Sequence, residues 1–268
     1  MAYPTVDKPY GLQPINLIGG QVFAGSTRMF PIASGYNTDL FYGQVVQLTT
    51  DGTIIVNPTT TGTSPLAGIV GVFLGVEYTN PSTKQKLRAQ YWPAGTVAAD
   101  AVAYVCDDPD AIFKAVICNT GQTVAALGQW AVGKNAALIQ NGGSTTTGDA
   151  LVAVGGQAPA ATNTIMRVVG LVPDSAQTTT SVGSTSGSST TVTLTAANSA
   201  IKPYMSVSGT GIAAGTYVSA ISGTTLTLSI AANLTSVTLT FAGSPEVLVK
   251  FNHGWHSYYN STGAAVAT

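Results

Sequence analysis

Charge is scarce in this chain of 268 residues: Lys, Arg, Asp and Glu together make up 8 %. A typical soluble domain carries about 25 %. The ten Lys and Arg residues are scattered, no basic cluster occurs, and the formal net charge is −1. A protein that neutralises nucleic-acid phosphates needs a basic face, so nucleic acid is excluded as a partner. Long apolar runs are also missing. None reaches the roughly 18 residues that carry a helix across a bilayer. The first residues, with Lys8 the earliest basic one, lack a basic stretch followed by an apolar one. Neither a secretory signal nor a membrane partner is therefore expected.

Cysteine is nearly absent, with Cys106 and Cys118 alone. They would flank a hairpin whose turn lies at residues 107–111. Symmetric pairing there sets Cys106 opposite a residue near Ile112, which leaves Cys118 too far along. Two buried free thiols are predicted rather than a disulfide.

Groups that carry catalysis are equally sparse. The two histidines, His253 and His256, stand three positions apart with no Cys or carboxylate beside them. That is a weak metal signal. Asp107, Asp108 and Asp110 gather around Pro109 but lack the Asp/Asn and Gly alternation of a calcium loop. An exposed Asp-Pro turn is predicted instead. Nucleophile-elbow, phosphate-loop and dinucleotide motifs do not occur. Paired carboxylates of a glycosidase meet in space and leave no sequence mark. No enzyme activity, metal or cofactor is predicted.

What the chain does have is Gly, Thr, Ser, Ala and Val, with hydrophobic residues at 45 %. This composition suits an all-β protein with a hydroxyl-rich surface. Around Tyr91, Leu87 and Ala89 alternate with Arg88 and Gln90, the period of a half-buried strand. Asn80, Pro81 and Ser82 before it have turn chemistry, so a hairpin with the apolar run at 67–78 is expected. Gly68, Gly71 and Gly75 in that run would each cost a helix about 1 kcal/mol relative to Ala. They are read as bulges or close backbone approaches in a strand. Residues 44–48 and 53–56 form a second hairpin around Asp51 and Gly52. Residues 97–106 and 112–118 suggest a third, and residues 165–172 a central core strand. Residues 141–148 read as a mobile loop by composition.

Residues 11–20, 28–35, 71–78 and 90–96 together resemble a family of tailed-bacteriophage virion proteins. These are capsid decoration (cement) or minor structural proteins, especially of viruses of aquatic bacteria. The resemblance covers residues 10 to about 173 and resumes at about Glu246. It implies a structural virion protein on the outer face of an icosahedral capsid, with the major capsid protein as partner. Such a protein bridges capsid subunits. Threefold capsid positions make a homotrimer the simplest assembly. The family normally reaches its last core strand by a short loop after residue 173, so residues 178–243 look inserted.

That stretch holds one basic residue, Lys202, and no carboxylate from Gln177 to Gly243. Five short strands are expected there, after a Gly/Ser linker at 183–189. A small Ig-like β-sandwich is predicted, similar to Thr/Gly-rich modules of phage tail and fibre proteins. The expected organisation is an extended arm (1–30), a β-barrel or β-sandwich core (31–177 with 244–268) and the outward-projecting insert. The alternative function is a tail-fibre or adhesin module whose insert binds host glycans. Candidate subunit or capsid contacts are Tyr3, Val6, Tyr10, Leu12, Ile15 and Leu17 of the arm. At the other terminus they are Trp255, Tyr258 and Tyr259, since aromatic residues are enriched at interface hot spots.

Overall fold

The computed structural model describes residues 6–58 and 68–259. Tyr3 lies outside the described residues. The chain opens with β1 (Gln13–Leu17), β2 (Arg28–Pro31), β3 (Gln44–Leu48), β4 (Ile54–Val56), β5 (Ile69–Thr79), β6 (Lys86–Ala89) and β7 (Val102–Cys106). It continues with β8 (Ala111–Cys118), β9 (Asn135–Ala136), β10 (Leu138–Ile139), β11 (Ala153–Gly155) and β12 (Met166–Leu171). Then come β13 (Gln177–Ser184), β14 (Ser189–Leu194), β15 (Ser206–Ser208), β16 (Val218–Ser222), β17 (Thr225–Ala232), β18 (Val237–Gly243) and β19 (Glu246–Phe251). The protein is all-β, with barrel-like and sandwiched sheets. Among the described residues no helix is long and apolar enough to cross a membrane.

One sheet runs β2-β7-β5-β3-β4, with β6 also on β5. A second runs β10-β11-β8-β19-β12-β9, with β1 also on β8. The two pack face to face: Val45, Ile69 and Val72 of the first share a core with Phe113, Ile117, Met166 and Val249 of the second. The opposite face of the first sheet is buried too. Val70, Phe73 and Val76 pack there with Leu40, Trp92 and Ile32. Burial on both faces explains why β5 is apolar nearly throughout rather than alternating. Gly71 is needed in it: a Cβ there would stand 2.1 Å from the Cys106 carbonyl oxygen. The register of β5 against β7 slips between Phe73 and Gly75, the expected bulge.

The hairpin of β5 and β6 is present, closed by Asn80, whose Oδ1 accepts the Ser82 and Thr83 amides at 2.8 and 3.0 Å. The β3–β4 hairpin is present as well. The hairpin expected between residues 97–106 and 112–118 is not. β7 and β8 belong to different sheets, and the Asp107–Asp110 turn carries the chain from one to the other. A turn signal reports a reversal and does not say which strands pair. Cys106 and Cys118 are free and buried, as predicted. The loop at 141–148 is pinned to its surroundings. Asn141 donates to the Leu151 carbonyl at 2.8 Å, and Gly143 packs so closely that a Cβ would strike the Phe41 ring.

The N-terminal segment is not a free arm where it is described. β1 pairs with β8 and β2 with β7. Residues 177–243 likewise depart from expectation. The supposed linker lies partly inside β13, where Gly183 sits against Val192. The six strands form one sheet, β15-β18-β13-β14-β17-β16, rather than the two facing sheets of an Ig-like sandwich. Its two ends approach each other through the Ser206–Tyr217 bridge and the Val207 amide on the Thr216 carbonyl at 2.9 Å. The chain enters and leaves this sheet side by side, with Gln177 paired to Gly243. The flanking strands β12 and β19 pair in the sheet below.

Candidate contact surface

The turn between β7 and β8 is the meeting point of three distant segments. Asp108 Oδ1 accepts the Asp110 amide at 2.8 Å, which closes the corner locally. Asp107 receives the Arg28 Nε at 2.9 Å and the Tyr258 hydroxyl. The Asp110 carbonyl accepts the Ile18 amide at 2.9 Å, and its carboxylate holds Lys250 Nζ at 3.1 Å. The turn is therefore partly buried by its partners, not exposed as the sequence suggests. Burial, and then the Asp107 hydrogen bond, push the Tyr258 phenol up to about 12, so it stays a donor.

Arg28 lies over the Tyr258 ring at 5.4 Å. Ile18, Met29, Tyr258 and Tyr259, from the chain segments that meet at this turn, are four of the seven large apolar side chains left exposed among the described residues. Met29, at 62 % exposure, stands on edge strand β2. Ile18 caps the turn that follows β1, and Val22 is exposed just beyond it. Tyr259 stacks on His253 with centroids 4.0 Å apart, which holds its ring in place.

The other predicted contact residues are placed differently. Leu12 and Trp255 are fully buried in the main core and present no surface to a partner. Ile15 is half-buried within β1. Leu17 packs against the main core, and Val6 and Tyr10 pack on a smaller cluster with Cys118 and Val116. Tyr10 donates to Glu246 at 2.5 Å, so the N-terminal segment is tied to its own β19. Arg28, Met29 and Ile18 were missed. Their signal is faint: an exposed apolar residue on a short strand becomes informative only once its neighbours in space are known.

His256 is buried between Phe251 and Tyr258 rather than offered to a metal. Among the described residues no three His, Cys, Asp or Glu side chains gather closely enough to hold an ion. The corner's carboxylates are committed to ion pairs and hydrogen bonds. Comparison with family models, with curated proteins and with solved structures found no match for this chain.

Proposed function

We propose that this is a structural virion protein that decorates and stabilises the outer surface of an icosahedral phage capsid. The observation that carries this reading is the make-up of the exposed corner: Arg28 and Tyr258 held on Asp107, with the neighbouring Tyr259 stacked on His253. Arg and Tyr are residue types enriched where proteins meet, whereas Lys and Glu are depleted there. The sequence resemblance to decoration proteins names the partner, the major capsid protein. A homotrimer on threefold positions would present three such corners and bridge neighbouring subunits. Binding only the assembled shell shifts it toward the intact state by mass action.

The test is occupancy on purified particles. A decoration protein is expected in hundreds of copies over the shell. Tyr259→Asp, which places a charge on the exposed corner, is expected to strip most of them and to lower the temperature at which particles open. Density confined to the tail vertex would overturn the reading and favour the fibre alternative. Light scattering on the free protein checks the trimer.

A further inference from the structure

Beyond β19 the chain forms a strap that crosses from the second sheet to the first. Its near end is firmly set. The Asn252 amide group lies on the Thr164 carbonyl at 2.5 Å, the Met166 carbonyl at 3.2 Å and Asn135 Oδ1 at 3.1 Å. Trp255 is fully buried in the main core, with its indole N–H on Asn163 Oδ1 at 3.3 Å. Past Trp255 the strap reaches β5 and the turn between β7 and β8. The Ser257 amide donates to the Ile69 carbonyl at 2.7 Å, His256 forms a bridge with Ile69, and the Tyr258 hydroxyl donates to Asp107.

His256 is the residue between the fixed end and these fastenings. Its ring is buried, in edge contact with Phe251 and Tyr258. Nδ1 accepts the Tyr258 amide at 3.3 Å, so the proton of the neutral ring lies on Nε2, which meets no hydrogen-bond partner among the described residues. A second proton would land on Nδ1 and face that amide N–H instead of accepting it. The groups around the ring are these. β5 brings Ile69 and Val70, and β19 brings Phe251, with Lys250 held by Asp110. The turn brings Asp107 and Asp108, whose charges, with the backbone at Val70 and Asp107, favour a cationic ring. β2 brings Arg28 onto Asp107 and over the Tyr258 ring. The strap itself brings Tyr258, Tyr259 and, stacked on Tyr259, the exposed His253. Burial outweighs the carboxylates and lowers His256 to about 4.

We propose that residues 256–259 form an acid-released latch with Trp255 as its fixed pin. Protonation of His256 unseats the segment, parts Ser257 from Ile69 and Tyr258 from Asp107, and leaves both sheets folded. Trp255 stays, held by the main core and Asn163. Out of its seat the imidazole regains water and its ordinary value of 6.5, so the open form takes up a proton that the closed form refuses. Opening is therefore insensitive to pH above about 6.5 and grows as the pH falls toward 4. The latch carries Tyr258 and Tyr259, two exposed aromatic residues, so acid withdraws both from the turn between β7 and β8. The inference concerns the isolated protein and does not depend on the virion reading.

The experiment is native-state hydrogen exchange of the whole chain between pH 7 and pH 5, read amide by amide and corrected for the intrinsic effect of pH on exchange. The Ser257 amide reports the latch. The Ile117 amide, bonded to the Pro245 carbonyl at 2.9 Å, reports the main core. Ser257 is expected to be the less protected of the two throughout, because it opens without the rest. Its protection should fall at least tenfold from pH 7 to pH 5. His256→Phe, which keeps a ring in the seat, should abolish that fall. His253→Phe, on the exposed histidine, should leave it in place. Tryptophan emission should not change over this range. Equal protection of Ser257 and Ile117, no fall in Ser257 protection, a fall that persists in His256→Phe or vanishes in His253→Phe, or a red shift of the emission would each overturn the proposal.

Discussion

Trp130 stacks on Tyr217, with ring centroids 3.9 Å apart and planes 12° from parallel. The two rings come from different sheets' surroundings and fasten residues 177–243 to the rest of the molecule. Tyr204 completes the joint. Its carbonyl accepts the Trp130 indole N–H at 3.1 Å and the Gly128 amide at 3.3 Å, and its hydroxyl donates to Asn119 at 2.7 Å. Tyr204 is buried in the main core, whereas Ala126, from the segment before Trp130, is buried in the core of the inserted sheet. Each part therefore fills a hole in the other. Tyr204 pays for this position with φ of 71°, a region a bulky side chain rarely adopts.

Deleting residues 178–243 by joining Gln177 to Ser244 is expected to destabilise the remainder strongly. Closing the loop is cheap, because its cost grows only slowly with length. Losing Tyr204 from the core is not, since emptying a buried aromatic site costs about 3–5 kcal/mol. Denaturant midpoints check this. In a milder test, Trp130→Ala and Tyr217→Ala should couple by about 1 kcal/mol in a double-mutant cycle, the worth of an aromatic pair beyond its burial. Unchanged stability of the deletion would mean that the joint contributes nothing.

Two glycines are expected to tolerate no side chain. A Cβ on Gly71 would stand 2.1 Å from the Cys106 carbonyl oxygen, and one on Gly155 would stand 2.0 Å from that of Cys118. Both obstacles are backbone and cannot swing away. Gly71→Ala and Gly155→Ala should each cost more than about 3 kcal/mol, in the range of severe core disruptions. Gly170→Ala is the control, because its nearest contact would be Leu248 at an ordinary 3.6 Å. Thermal unfolding of the three variants separates them.

Much of this fold was legible because the signals are local. Asn80, Pro81 and Ser82 announce the β5–β6 turn, and the glycines of β5 mark where backbones press together. The failures are all of long range. Asp107 to Asp110 predicts a turn correctly, yet β7 and β8 part to different sheets there. The sequence around Tyr204 is hydroxyl- and Gly-rich, and nothing in it reveals that this tyrosine anchors in another core. At the candidate surface, the clustering of Tyr258 and Tyr259 is visible along the chain, and both are exposed. The other half of that surface is not visible there, because Tyr258 and Asp107 are 151 residues apart in sequence.

Both thiols are expected to be inert until the protein unfolds. Burial pushes Cys106 and Cys118 each up to about 12, and the thiolate is the reactive form. A thiol reagent at neutral pH should label neither in the native state and both in denaturant. Rapid native labelling of one would show that its shell opens locally.

Acid is expected to weaken the fold in two steps. Burial lowers His256 from 6.5 to about 4, against the opposing pull of the nearby Asp107 charge. The unfolded chain then binds a proton that the folded one refuses, so stability rises with pH across this interval. It should be constant above about pH 6.5, fall between there and about pH 4, and lose about 3 kcal/mol in all from this group. Glu77 acts at lower pH. Lys86, then Arg88 and Tyr104, hold its carboxyl down at about 2, from an ordinary value of 4.5. Its contribution is present above 4.5 and is lost as the pH falls toward 2. His256→Phe keeps a ring in the site beside Phe251 and removes the titrating group. Denaturant unfolding of this variant should show no loss between pH 6.5 and 4, while the lower step persists. An unaltered upper step in the variant would assign the acid sensitivity to another group.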